Sequence, residues 1–303
     1  MVLPLWIFAT LAAAAVQTVR FSLQRQLKGI GLSTGGATFS RFLFGAPLAA
    51  VAMVALLAFT GQGVALPGAR FWAFGIAGGL AQIAATFCTV ALFSERSFAV
   101  GIAFTKTETV QVAIFSTLVF GDHIPFWGYV AIVIGVAGVI LLSRPPRRPG
   151  EAKVTVFNRA TFLGLVAGAL FGVAAIGYRG ATLEVASPDP LIRAVVALAC
   201  VTAFQTLAMG LWLARREPGE LGRVLGAWRA TALVGVTGVL GSFGWFVAFT
   251  LENAAYVRSL GQIELMFSFL VSTLIFRERS HPREIAGMAV LAISIVMIVW
   301  MTA

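Results

Sequence analysis

The amino-acid sequence predicts an all-α membrane protein with ten transmembrane helices, arranged as two inverted five-helix repeats around a central cavity. Three observations carry that prediction. Apolar runs long enough to cross a bilayer recur along the chain, basic residues crowd into alternate connections, and the two halves match each other at a fixed offset.

Of the 303 residues, 59% are hydrophobic and 11% charged. Soluble domains carry about 25% charged residues, so half of the usual solubilising surface is missing. A helix needs about 20 residues to cross the hydrocarbon. Ten segments meet that need, at roughly 3–24, 35–60, 71–93, 98–120, 124–143, 160–180, 190–213, 229–250, 255–276 and 284–302. They are too long for membrane barrel strands and lack the two-residue alternation of such strands. Turn residues punctuate the connections, as in Gly61-Gln62-Gly63, Gly121 to Pro125 and Ser187-Pro188-Asp189-Pro190. No polar stretch is long enough for a separate soluble domain. The N-terminus is apolar from Val2 and lacks the basic stretch that opens a signal peptide, so it reads as an uncleaved first helix.

The net charge is +10. The connections after helices 1, 3, 5, 7 and 9, with the adjoining helix ends, hold sixteen Lys and Arg, whereas the opposite connections and the termini hold two, Arg70 and Arg179. This asymmetry places the odd-numbered connections in the cytoplasm and both termini on the non-cytoplasmic side of an inner (plasma) membrane. It also excludes nucleic acid as a partner, because the basic residues sit in short loops and not on one polar face. The expected partners are membrane lipid and a small-molecule substrate. A monomer is the default, since ten helices suffice to enclose a cavity.

The repeat divides the chain into 1–150 and 151–303. At an offset of 156, Ser116-Thr117-Leu118-Val119-Phe120 returns as Ser272-Thr273-Leu274-Ile275-Phe276. At the same offset Phe93 meets Phe249, Glu108 meets Glu264, Asp122 meets Glu278 and Trp72 meets Trp228. Arg41 with Arg193 and Arg20 with Arg179 align at slightly different offsets. Five helices per half is an odd number, so the second half must enter the membrane upside down. Inverted repeats are a recurring plan of secondary transporters.

Each half closes with an aligned helix, a short acidic turn and a glycine-rich last helix. In the first half, Glu108 to Asp122 leads into Gly128 and Gly135-Val136-Ala137-Gly138-Val139-Ile140-Leu141-Leu142. The second copy runs from Gly261 to Trp300 with Arg277-Glu278-Arg279 at the turn, and Ser40-Arg41-Phe42 lies in the second helix. In these features the chain resembles the drug/metabolite transporter superfamily, and within it the EamA-like branch. The resemblance covers nearly the whole chain. The Gly-Glu pair common at the family's turn is replaced by Gly121-Asp122 and Arg277-Glu278. The resemblance implies a ten-helix basket with a central cavity, and usually export of small metabolites or drugs. It leaves the substrate open, because the superfamily moves amino acids, nucleotide-linked compounds and drugs.

Glu108 and Glu264 are the sharpest site candidates. A charged side chain at bilayer depth costs about 2.5–3.5 kcal/mol even on the lenient insertion scale, so such residues face protein or water. Two related carboxylates at mid-depth fit a proton carrier, a cation counter-charge or a substrate acceptor; the bland alternative is a pair of helix ties. Lys106 lies two residues from Glu108, which points it to another side of the helix, whereas Arg258 and Gln262 share a face. These polar residues break the two-fold match and suit an asymmetric ligand bearing a carboxylate or phosphate; the alternative is an ion pair across helices. Gln82, Trp245 and Tyr256 are further candidates for the cavity wall, as are Phe104 and Phe243, against the alternative of helix packing. Arg41 and Arg193 lie within two turns of helix ends and are gate or ion-pair candidates, expected to snorkel toward headgroups. Trp6, Trp127, Trp212 and Trp300 near helix ends fit an interfacial belt.

No catalytic constellation, metal site or cofactor motif is present in the sequence, so no enzyme, metal or cofactor is expected. Cys88 and Cys200 have no ligand spacing to His123 or His281. The sequence therefore predicts a secondary active transporter, exporting a small metabolite or drug by alternating access with coupling to protons at Glu108 and Glu264. The alternatives are uptake, an uncoupled facilitator, or a structural membrane subunit; an enclosed polar chamber at the two glutamates separates transport from the last of these.

Overall fold

The structure, a computed structural model, describes residues 4–92, 104–142, 159–274 and 282–302. All regular structure among these residues is helical. Seven stretches are long and apolar enough to cross a membrane: α1 (Leu5–Gly29), α2 (Thr34–Leu43) with α3 (Gly45–Thr60), α4 (Ala69–Leu92), α7 (Arg159–Leu183), α8 (Pro190–Arg216), α10 (Trp228–Leu251) and α13 (Pro282–Thr302). Two shorter apolar helices, α5 (Glu108–Phe120) and α6 (Phe126–Leu142), lie between α4 and α7. The connection after α8, expected to be loop, contains the short α9 (Glu220–Gly226), and α11 (Ala254–Gly261) and α12 (Ile263–Leu274) complete the set. The turn Arg277-Glu278-Arg279, Phe93, and the proline-rich connection 143–158 lie outside the described residues.

Helix ends follow local chemistry. Ser33 caps α2 by accepting from the Gly36 N–H at 2.8 Å. Asp189 caps α8, where Pro190 opens the first turn, and Asn253 caps α11. Gly61 and Gly121 end α3 and α5 in the left-handed region that glycine enters without a Cβ clash.

Three helices expected to be continuous are interrupted: the one expected at 35–60 at Phe44 between α2 and α3, and two more beside the candidate glutamates. The segment expected at 98–120 shows a turn at Lys106-Thr107 before α5 begins, and the segment expected at 255–276 breaks at Gln262 between α11 and α12. Both interruptions tighten into three-residue hydrogen bonding, Thr107 N–H to Phe104 O and Gln262 N–H to Ser259 O. Such tight stretches inside a helix often mark functional hinges.

Polar contacts sort the connections to two ends. At one end Ser33 N–H donates to Glu220 at 2.6 Å, the Ser33 hydroxyl donates to Glu217, and Arg223 bonds the Gly31 carbonyl, tying the α1–α2 turn to the α8–α10 connection. At the other end Arg179 meets Asp122, Arg70 meets Glu184, and Ser187 donates to Gln62. Arg25, Lys28, Arg215 and Arg216 lie toward the first of these, here termed the basic end.

Outward faces are apolar, as lipid requires. Val51 and Val54 on α3, Leu207 on α8, Leu240 on α10 and Val296 on α13 are all exposed. Trp127 and Trp300 are exposed near helix ends as an interfacial belt needs, but Trp6 is buried in the core and does not belong to it.

Small residues bring the backbones together. A Cβ on Gly177 of α7 would lie 2.7 Å from Phe74 O and 2.8 Å from Gly78 N of α4. One on Gly138 of α6 would lie 2.8 Å from the Leu291 N of α13, and one on Gly244 of α10 would lie 2.9 Å from Ala9 O of α1. Without a hydrophobic force between helices in lipid, such close approach carries the association. Gly177→Val is therefore expected to pry α4 from α7 and to lower stability by about 1–3 kcal/mol or more, visible as a lower unfolding midpoint in detergent. An unchanged midpoint would show that the crossing is looser than these distances.

Candidate functional site

Both glutamates stand in the first turn of a half-helix, immediately after an interruption: Glu108 opens α5 and Glu264 is the second residue of α12. A carboxylate there benefits from the free N–H groups and positive dipole of the helix start. Each is nearly buried, at 5% exposure.

Their partners cross between the halves. Arg258 of α11 holds Glu108 at 2.6 Å, and Lys106 pairs with Glu264, not with Glu108 two residues away. Gln17 of α1 donates to Glu264 at 2.7 Å and accepts from the Trp245 indole at 3.1 Å. The Arg258 guanidinium lies over the Trp245 ring, 4.9 Å from its centroid. One connected network thus runs from Glu108 through Arg258, Trp245 and Gln17 to Glu264 and Lys106. Gln262 donates to Thr109 at 2.9 Å and bridges the two interruptions.

These groups border open space. A cavity of about 360 Å³ is lined by Gln17, Lys106, Glu108, Arg258 and Glu264 together with Phe21 and Phe171. It extends along α1 past Thr18 and Ser22 to Arg25, and so faces the basic end. Toward the opposite end it narrows to a chamber of about 20 Å³ beside Gln82, Tyr178, Ser242 and Phe249, which is room for about one water molecule. Gln82 accepts from Gln205 at 3.2 Å and from the Tyr178 hydroxyl. Beyond it, described residues bridge the helices. Arg179 donates to the Phe249 carbonyl at 3.0 Å and to that of Glu252, and stands 3.8 Å from Asp122. Ser116 donates to Asp122 at 2.5 Å and touches Asn253 at 3.4 Å.

The structure therefore brings together Glu108, Glu264, Lys106, Arg258, Gln262 and Trp245, with Gln82 at the adjoining chamber. Tyr256 is placed elsewhere. It packs on α6, where a Cβ on Gly128 would lie 2.8 Å from its hydroxyl. Arg193 is also remote and holds the Thr182 and Leu183 carbonyls at the end of α7. Arg41 does not snorkel: it is 5% exposed and donates inward to Thr86 at 3.3 Å and Ser242 at 3.1 Å. Gln17, Phe21, Phe171 and Arg179 are site residues that the sequence reading passed over. Gln17 carried a signal, being a polar side chain in the apolar first helix. Cys88 and Cys200 are free thiols, and no metal-binding cluster occurs among the described residues.

Apolar helices surrounding a buried, charged cavity define a polytopic membrane protein. Residues 158–300 match the model of the EamA-like transporter family, which is part of the drug/metabolite transporter superfamily. It is a non-enzymatic family of membrane transporters. Among curated proteins none matches the chain in sequence. A crystal structure described only as that of a protein is similar over 97% of this chain and 94% of its own, with a TM-score of 0.68 and 14% identity. At that identity the likeness is one of fold.

Proposed function

We propose that the protein is a secondary active transporter that exports a small metabolite or drug by alternating access, with proton coupling at Glu108 and Glu264. The observation that carries this reading is the cavity, open along α1 to the basic end and bridged at the other by Arg179, with both carboxylates on its wall. Taking the basic end as cytoplasmic follows from the charge asymmetry. The cavity is then the inward-facing state, and outward release requires Arg179 to let go.

The inverted five-helix plan of 1–150 and 151–303 has two supports. The interruptions at Lys106-Thr107 and at Gln262 coincide when the offset of 156 is applied. Exchanging the halves also turns the α4–α7 packing into the α1–α10 packing, while α3–α8 and α6–α13 map onto themselves. Each carboxylate sits in a helix interruption opposite a cation from the other half. Rocking the halves would part these pairs, and a carboxylate able to trade its cation for a proton links that motion to the proton gradient. A structural subunit has no use for such a chamber.

The test is solute-driven proton flux in proteoliposomes loaded with a pH dye and challenged with phenylacetate, phenyl phosphate, phenylacetamide and phenethylamine in turn. Wild type is expected to move protons with at least one of them, and Glu264→Gln and Glu108→Gln to lose about tenfold or more, the scale of one charge-assisted hydrogen bond. Unchanged rate and pH dependence in both variants would overturn proton coupling. No flux of any of the four above that of empty vesicles would overturn transport.

A further inference from the structure

We propose that the solute taken by this cavity is a small amphipathic anion, carrying a carboxylate or phosphate on an apolar body, and that Arg258 and the neighbouring Arg41 and Arg20 balance its charge. This deepens the transport reading and rests on it. Around the cavity the two carboxylates are already matched, Glu108 by Arg258 and Glu264 by Lys106. Arg20 and Arg41 are additional. They are 2% and 5% exposed and flank one glycine: a Cβ on Gly238 would lie 3.0 Å from Arg41 Cγ and 3.7 Å from Arg20 Cδ. Their partners are neutral, Gln24 at 2.6 Å for Arg20, and Thr86 and Ser242 for Arg41. Phe21 and Phe42 lie beside their guanidiniums. Among the described residues no carboxylate meets either one. Two like charges so close and so buried are costly unless something balances them.

The route from this surplus charge to the cavity runs through two residues. Arg41 holds Ser242, and Ser242 shares the wall of the small chamber with Arg258. Arg258 lines the cavity and the chamber alike. Its side chain is nine-tenths buried, yet its Nε–H makes no hydrogen bond while Nη2 holds Glu108. A guanidinium presents its donors as a planar fork that fits carboxylate and phosphate. An entering oxyanion therefore finds an unused donor on a cation and competes with Glu108 for the rest. The remainder of the wall suits an apolar body. Phe21, Phe171 and Leu265 line the large cavity, and Trp245 lies beneath Arg258. A volume of about 360 Å³ falls in the range of about 300–1,000 Å³ that holds small ligands.

The test is a binding panel on the full chain in nanodiscs by titration calorimetry, using the same four compounds at up to about 10 mM. Phenylacetate, phenyl phosphate or both are expected to bind saturably, about tenfold or more tighter than the isosteric amide and the amine. The better of the two anions names the headgroup. Arg41→Gln is expected to weaken that anion about tenfold, Arg41→Lys to keep most of the affinity because it keeps the charge, and Arg258→Lys to weaken it by loss of the fork. Arg193→Gln, remote from the cavity, is expected to change nothing. Amine or amide binding as tight as the anions would overturn the proposal, as would anion binding indifferent to Arg41→Gln, or no anion binding at all. Flux of the amine or amide in proteoliposomes without anion binding would sink the anion class and leave transport standing. Absence of flux for all four would sink both.

Discussion

Arg258→Gln is expected to destabilise the folded protein by about 3–5 kcal/mol, the usual penalty for leaving one member of a buried ion pair alone. Arg258 and Glu108 are 10% and 7% exposed at their side chains and stand 2.6 Å apart. The substitution leaves Glu108 in the cavity wall beside Phe171 without its ion-pair partner. Adding Glu108→Gln is expected to recover most of the loss, because two neutral amides of similar shape need no counter-charge. Unfolding midpoints of the two single variants and the double variant in detergent read this coupling directly. A double variant as unstable as Arg258→Gln alone would show that Arg258 acts through packing on Trp245, and not through charge. The other pair is buffered. Gln17 also donates to Glu264, so Lys106→Met is expected to cost less than Arg258→Gln.

A stable double variant serves a second purpose, because it separates fold from function. If the crossed pairs only tied helices together, Glu108→Gln/Arg258→Gln would transport normally once folded. Under the proposed mechanism it is folded and inactive, having lost both the Glu108 carboxylate and the Arg258 cation that opposes it.

Much of the fold was legible in the sequence, because length and hydropathy alone identify helices that cross lipid. Glu108 and Glu264 were legible for a related reason: a carboxylate inside an apolar run stands out against the cost of burying it. Pairing was not. Lys106 lies two residues from Glu108 in sequence but reaches Glu264, since partners are set by how α11 and α12 pack beside α5 and α1. The interruptions were hidden because no proline marks Lys106-Thr107 or Gln262. The close contact of Gly261 with the Trp245 ring and the approach of Gly168 to the Thr105 carbonyl appear only in three dimensions. Arg41 was misread for a geometric reason. Counting residues from a helix end puts it near headgroups, whereas α2 ends at Leu43 and turns it toward α4 and α10. Tyr256, two residues from Arg258, falls on another face of α11 and meets α6.

Arg179→Gln is expected to open the end that Arg179 ties together. Arg179 gathers the end of α7, the turn after α5 and the α10–α11 connection, through Asp122 at 3.8 Å, the Phe249 carbonyl at 3.0 Å and the Glu252 carbonyl. Hydrogen bonds involving a charged group contribute about 1.5–3 kcal/mol each, and a shift of 1.4 kcal/mol changes a two-state ratio about tenfold. A cysteine placed at Ala174, buried on the wall of the small chamber, is the reporter, with Cys88 and Cys200 replaced by Ser. Labelling by an impermeant maleimide from the Asp122 side is expected to quicken by about tenfold or more in Arg179→Gln. Asp122→Asn should give a smaller rise, since both carbonyl contacts survive. The decisive reading is at the other end. In alternating access the two openings exclude one another, so a cysteine at Ser22, which lines the cavity toward the basic end, must label more slowly as the outer end opens. A rise at Ala174 with no fall at Ser22 would mean that Arg179 plugs a continuous pore, and the rocking mechanism would give way to a gated channel.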